Sequence, residues 1–381
     1  MKAALRALEY LSWAKSVERS ARFNLTASGV VDTVQPWSDD EEARALVESW
    51  SGTLSIAELC RRDARLAARE RFIETVAARY GVEPSLVTPT LGASLAITHV
   101  LMALLRPGDQ VIVERPTYEP MHRVPEMLGA SVSRLERDVE RGWAVRPDRL
   151  ARLLTSRTRA VILSNLHNPS GVAIDRATLL EVTELAARVG AVVLVDEVYL
   201  DYAFPPDPDA AIQPACRVAT NCISWSSCTK CFGFSALRAG WIVAGDPDAA
   251  RVIRAATDYL HGDEPVSTLE LGARVLADAD RLSAWASRVS SAGQAVVQRW
   301  MEGEPRVSWV TPQAGITGCI RLPDLMNDVP FVEHLRDRYD TQVVPGTFFE
   351  APGFIRLSFG VDPAMLEEAL ANISAALDDL T

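Results

Sequence analysis

Between residues 87 and 245 the chain alternates short β-branched runs with longer stretches of helical periodicity. The runs VTPT, QVIVE, SVSRL, AVILSN, AVVLVDE, CISWS and GWIVAG predict strands. Residues Ser94 to Leu105, introduced by GAS and closed by the turn RPGD, predict a helix. Residues Asp175 to Val189, closed by Gly190, predict a second. This alternation calls for a mostly parallel sheet covered on both faces, an α/β domain that binds ligands at the carboxyl ends of its strands. From about 248 to 301 the pattern is mainly helical, with a break at GDEP. From about 305 onward short strands (RVSWV, FIRLSFG) mix with helices (PFVEHLRDRY, PAMLEEALANISAALDDL), which predicts a smaller α+β domain. The start, MKAALRALEYLSWAKSVERS, is interrupted by charges at Arg6, Glu9, Lys15, Glu18 and Arg19 and reads as an amphipathic arm, not a signal peptide. The expected division is an arm at 1–47 that joins the small domain, a large domain at 48–285 and a small domain at 286–381. Proline density marks Phe204 to Pro214 as a loop.

Composition narrows the class. A chain of 381 residues with 48% hydrophobic content has material for a large core. A net charge of −11 argues against general nucleic-acid binding, and no apolar run approaches the length of a membrane span. A cytoplasmic protein with neither nucleic acid nor membrane as partner is expected. Among six cysteines (Cys60, Cys216, Cys222, Cys228, Cys231, Cys319), CTKC has the spacing of a redox or zinc pair but no second pair or histidine cluster nearby, and the five histidines show no metal spacing, so buried free thiols and no metal are expected.

The basic residues carry the first chemical signal. Of 39, only Lys2, Lys15 and Lys230 are lysine. Where this chain needs only a positive charge it uses arginine. Position 230 retains what arginine lacks, an amine that can lose its proton and act as a nucleophile. Its neighbours decide whether that singularity means anything.

Several short motifs sit at predicted strand ends. LGAS (Leu91 to Ser94) opens a helix with small residues, which suits a phosphate at the helix N-terminus. Asn168 in HNPSG ends AVILSN, and on its own is no more than a turn. Asp196 in VDEVY ends the most apolar strand, where a carboxylate needs a cationic partner. Tyr118 stands in RPTYEP, and Ser227 and Arg238 flank Lys230. Jointly these residues describe a site for a phosphorylated aromatic aldehyde with a basic ring nitrogen, pyridoxal 5′-phosphate.

The motifs LGAS, PTY, NPSG, DEVY, SSCTK, FGFSALRAGW and FIRLSFG occur in this order, with 28 residues from Asn168 to Asp196 and eight from Lys230 to Arg238. In this the chain resembles the class I/II aminotransferases among fold-type I pyridoxal-phosphate enzymes, from about residue 24 to 372. The resemblance implies an aspartate aminotransferase-like fold, a seven-stranded sheet and a homodimer. It implies that Lys230 forms the Schiff base with the cofactor and moves the substrate proton. Asp196 pairs with the ring nitrogen, Tyr199 and Asn168 bond the ring's phenolic oxygen, and Tyr118 stacks on the ring. Gly92, Ala93, Ser94, Ser227 and Arg238 hold the phosphate. Arg356 grips the substrate carboxylate as a fork, with Asn168 beside it, and Gly29 brings backbone to the same carboxylate.

One element departs from the family. A tyrosine that normally reaches a partner subunit's phosphate is missing before the first large-domain helix; Tyr80 comes too late, and Trp50 or Cys60 stands in its space without the same hydroxyl. ESWSGTLSIAEL and NLTASGV are similar to pyridoxal-phosphate enzymes of specialised metabolism, including capreomycidine-synthase-like ones. With Lys230, Asp196 and Arg356 all present, transamination of an α-amino acid is expected; the missing tyrosine speaks for the alternative of β-elimination, decarboxylation-coupled deamination or cyclisation. A non-enzymatic cofactor-binding regulator is disfavoured, because only about 90 residues precede LGAS and none forms a basic recognition helix.

Overall fold

The computed structural model describes residues 7–17, 21–30, 41–49, 61–203 and 210–380. A short strand, β1 (Phe23–Asn24), precedes the large sheet. That sheet holds β2 (Val87–Thr90), β3 (Gln110–Arg115), β4 (Ser131–Glu136), β5 (Thr158–Ser164), β6 (Val192–Asp196), β7 (Cys222–Ser227) and β8 (Gly240–Ala244). Their spatial order is β2-β8-β7-β6-β5-β3-β4. The β8 strand runs antiparallel to both neighbours, and all other pairs are parallel. These are the seven runs picked out by the hydrophobic pattern.

The side-chain period of two explains the layering. On one face Val111, Val113, Ile162, Leu194 and Ile223 pack against Ile97, Val100 and Leu101 of the helix Ala93–Leu104. On the other, Ile112, Val161, Leu163, Val193 and Val195 pack against Leu179 and Val182 of the helix Arg176–Ala187. Both faces are apolar, so the strands read as continuous hydrophobic runs. Asp196, two residues beyond Leu194, falls on the face that carries the helix Ala93–Leu104.

In the C-terminal part, β9 (Ser308–Trp309), β10 (Thr317–Arg321), β12 (Val344–Pro345) and β13 (Phe354–Ser358) form an antiparallel sheet in the order β12-β13-β10-β9. The intervening β11 (Thr341–Gln342) pairs in parallel with β1, so Phe23 and Leu25 enter the same core as Val332, Leu335, Leu366 and Ile373. Packing changes hands along the helix Ala279–Gly303. Leu282, Trp285 and Ala286 join the core beside the large sheet, whereas Val296 and Val297 join the C-terminal one.

The hydrophobic pattern did not reveal β10. Its TGCIR interrupts the β-branched signal with Gly318, where a Cβ would stand 2.7 Å from the Trp309 ring. The helix Pro120–Met127 is likewise hidden by its prolines, although Pro120 sits in the first turn, where a missing N–H costs nothing. Trp50, Cys60 and residues 204–209 of the proline-rich loop lie outside the described residues.

Candidate active site

Separate chain segments converge where β5, β6 and β7 end. Their lining residues include Ala93, Ser94, Tyr118, Asn168, Asp196, Tyr199, Lys230 and Arg356. The cleft therefore gathers residues spread over more than 250 positions of sequence.

Lys230 follows β7 in a tightly held turn. Its carbonyl accepts from the Val30 N–H at 3.1 Å, and the Tyr202 hydroxyl lies 3.5 Å away. Its amine donates to Ser28 Oγ at 2.5 Å. Asp196 is buried, and the Lys230 charge acts on it. The Val198 N–H donates to one carboxylate oxygen at 3.1 Å. Burial raises its pKa to about 6, with Val198, Trp225 and Lys230 working against the rise. Tyr199 is buried with its hydroxyl unpartnered and Ser28 nearby; burial pushes its pKa up while the charge of Arg356 pulls it down.

The far end of the cleft is a cradle. Gly92 has φ +85° and precedes the helix Ala93–Leu104. A Cβ there would stand 2.4 Å from Arg238 Nη2, so the guanidinium lies directly on the glycine backbone. Arg238 is exposed and holds only long contacts, 3.4 Å to the Leu91 carbonyl and 3.5 Å to that of Ser235. A Cβ on Gly240 would come 2.7 Å from the Gly92 Cα, so both positions need glycine. Ser227 ends β7, buried, with its Oγ 3.4 Å from the Thr229 N–H. Gly92, Ser227 and Arg238 adjoin the lining residues without being among them, and Gly29 is buried beside Ser28.

Arg356 lies in the middle of β13, 1% exposed, and no described carboxylate pairs with it. Nη2 donates to the Thr26 carbonyl at 2.9 Å and to the Tyr10 hydroxyl at 3.2 Å. Nη1 reaches Asn168 Oδ1 at only 3.4 Å, and Nε has no partner. A buried guanidinium without an anion is costly, so this geometry is prepared for one.

The donor chemistry of these residues fits pyridoxal phosphate. The buried Asp196 carboxylate suits a ring N–H cation, the unpartnered Tyr199 hydroxyl suits the phenolic oxygen, and the glycine cradle with Arg238 suits the phosphate. Beneath lies a polar network. The buried Arg137–Glu114 pair, at 2.8 Å, is continued by Ser164, which donates to Glu114 and lies 3.3 Å from the Asn168 N–H. His167, buried and held neutral, bonds Ser170 at 2.6 Å and the Pro116 carbonyl at 2.9 Å.

The sequence did not reveal Tyr10, Leu11, Ser28, Ile97 and Val198 as lining residues. Ser28 stands next to Gly29 in NLTASGV, and its hydroxyl between two hydrophobic runs was the available cue. Tyr80 does not line the cleft. It is buried against Trp241, ring centroids 6.4 Å apart.

The model for aminotransferase class I and II matches residues 62–373. A capreomycidine synthase from Streptomyces vinaceus is 29% identical over 376 residues, covering 98% of this chain and 94% of that one. A pyridoxal-phosphate-dependent aminotransferase from Streptococcus suis has 26% identity and a TM-score of 0.85, covering 100% of this chain and 99% of that one. The pyridoxal-phosphate-dependent cyclase OrfR has 25% identity and a TM-score of 0.83 over the same shares. With an aspartate aminotransferase-like fold and pyridoxal 5′-phosphate as its cofactor, this chain is an enzyme that belongs to the class I and II aminotransferases.

Proposed function

We propose that the enzyme transfers the amino group of an α-amino acid to a 2-oxo acid, using the cleft that ends at Arg356. The observation that carries this reading is the buried guanidinium of Arg356, without an anion among the described residues, in the cleft that Lys230 also lines. When bound, pyridoxal phosphate supplies an electron sink for charge that develops at the substrate Cα. The chain's own residues do the rest. Arg356 binds the α-carboxylate, and a fixed carboxylate decides which Cα bond is presented to the reacting face. Lys230 holds the cofactor and then carries the proton from Cα. Asp196 keeps the ring nitrogen protonated, and Tyr118 holds the ring plane. Tyr199 and Asn168 bond the phenolic oxygen, while Gly92, Ala93, Ser94, Ser227 and Arg238 hold the phosphate and Gly29 adjoins the carboxylate.

A second reading keeps every one of these residues and diverts the reaction to cyclisation. It is favoured by the full-length likeness to a capreomycidine synthase and to a cyclase. The two readings separate in a single turnover with the amino-acid substrate. Transamination leaves the amino group on the cofactor, releases one equivalent of 2-oxo acid and needs a second oxo acid to restore the starting spectrum. A spectrum that restores itself unaided, with a cyclised product or free ammonia, would establish the second.

Arg356→Leu is expected to weaken amino-acid binding about tenfold to a hundredfold and to leave cofactor affinity unchanged, as read by titrating the cofactor absorbance. Unchanged amino-acid affinity would remove the carboxylate role. The same family reading supports a cytoplasmic homodimer acting on a small molecule, and sedimentation of the active species checks the dimer.

A further inference from the structure

The helix Glu9–Val17 lies against the cleft, and one side chain fixes it there. Glu119 Oε1 accepts from the Glu9 N–H at 3.0 Å and Oε2 accepts from the Tyr10 N–H at 2.8 Å. Both oxygens of a nearly buried carboxylate thus satisfy two free donors at the helix start, where negative charge is also favoured by the helix dipole. Arg123 Nε stands 3.6 Å from the same carboxylate. Glu119 directly follows Tyr118, so the residue expected to stack on the cofactor is tied by one peptide bond to the residue that holds the helix.

The helix places Tyr10 at Arg356. The Tyr10 ring meets Tyr118 edge-on, with centroids 5.9 Å apart and an interplanar angle of 86°, and packs on Phe349 at 5.3 Å. Its hydroxyl oxygen accepts from Arg356 Nη2 at 3.2 Å. An acceptor of a charged donor is polarised to give up its own proton more readily in a further hydrogen bond. No described residue takes that proton, and Tyr10 lines the cleft. Arg356 Nε has no partner, and its Nη1 contact is long.

We infer that Tyr10 is a substrate-binding residue, whose hydroxyl donates to the same α-carboxylate that Arg356 binds, and that Glu119 is the positioning residue that sets it there. This deepens the reading of the cleft as an amino-acid site and rests on it. The carboxylate then sees a fork from the main body and a hydroxyl from the arm. Docking of residues 9–17 becomes coupled to the presence of a carboxylate in the ligand. An amine without that carboxylate gains nothing from the arm.

The test uses the cofactor-loaded protein and two probes, 2-methylalanine and isopropylamine, which differ only in that the carboxylate of the first takes the place of the Cα proton of the second. Each is titrated by cofactor absorbance. Tyr10→Phe keeps the ring packing and removes only the hydroxyl. It is expected to weaken 2-methylalanine about tenfold or more while isopropylamine stays within about twofold, the size of a hydrogen bond to a charged group. Glu119→Ala is expected to reproduce that selective loss and to speed amide exchange over residues 9–17. The double variant is expected to be no weaker than either single one, because the two act as a unit. Unchanged or tighter 2-methylalanine binding in Tyr10→Phe overturns the inference while leaving the amino-acid reading intact. Equal binding of the two probes by the unaltered protein overturns both.

Discussion

Lys230→Ala is expected to lower turnover by at least about 10⁴-fold, because on the proposed reading the variant loses both the amine that holds the cofactor and the base that moves the Cα proton. Lys230→Arg fails to a similar degree. Arginine keeps the charge but stays protonated at any working pH, so it can neither attack an aldehyde nor accept a proton. The backbone contacts at position 230 predict that the fold survives both changes. The Lys230 backbone carbonyl is held by Val30 and Tyr202, and these contacts do not involve the amine. Steady-state rates measured beside thermal melts check this. An arginine variant with substantial turnover would mean that position 230 supplies charge alone.

Asp196→Asn lowers turnover by about 10²-fold or more, since a neutral amide cannot keep the ring nitrogen protonated and the electron sink weakens. The same substitution has an opposite effect on the cofactor-free protein. Burial raises the Asp196 pKa from its ordinary 3.8 to about 6. A raised carboxyl pKa means that the folded state holds the proton more tightly than the unfolded state. The associated stability is complete below pH 3.8 and is lost as pH rises through about 6. At pH 8 the cofactor-free protein therefore carries an uncompensated buried carboxylate, at a cost on the order of 2–3 kcal/mol. Asparagine relieves that cost. The cofactor-free variant is expected to melt several degrees above the parent at pH 8, with the gap closing toward pH 4. With cofactor bound the order reverses, because the ring cation now stabilises the carboxylate. Melting curves at the two pH values, with and without cofactor, check both signs. A variant that melts identically to the parent in all four conditions would show that Asp196 meets no ring nitrogen.

The seven strands of the large sheet were legible because both of its faces are covered. Such strands must be apolar throughout, and β5, with Ala160 to Leu163 fully buried, shows the consequence. The chemistry at strand ends was legible for a related reason. A polar residue that closes an apolar strand, such as Asp196 at the end of β6, has few structural uses there. Gly92 could be read from its place before a helix, but Gly240 could not. Its need for a missing side chain arises from the Gly92 backbone crossing it, a contact between segments 148 positions apart. Ser28 and Tyr10 were hidden in the same way. Their contacts to Lys230 and Arg356 span 202 and 346 positions, and neither leaves a periodic trace. Glu119 reads as an ordinary surface charge in PTYEP until the arm folds onto it and uses both of its oxygens.

The most direct test of the central claim exploits the scarcity of lysine. The cofactor-loaded protein is reduced with borohydride, digested, and its peptides are weighed. Among side chains, only Lys2, Lys15 and Lys230 can carry the reduced adduct. The account predicts one pyridoxyl group per chain, on the peptide that contains Lys230 and on no other. An adduct on Lys2 or Lys15 with Lys230 unmodified, or a yellow protein that yields no adduct at all, would contradict it.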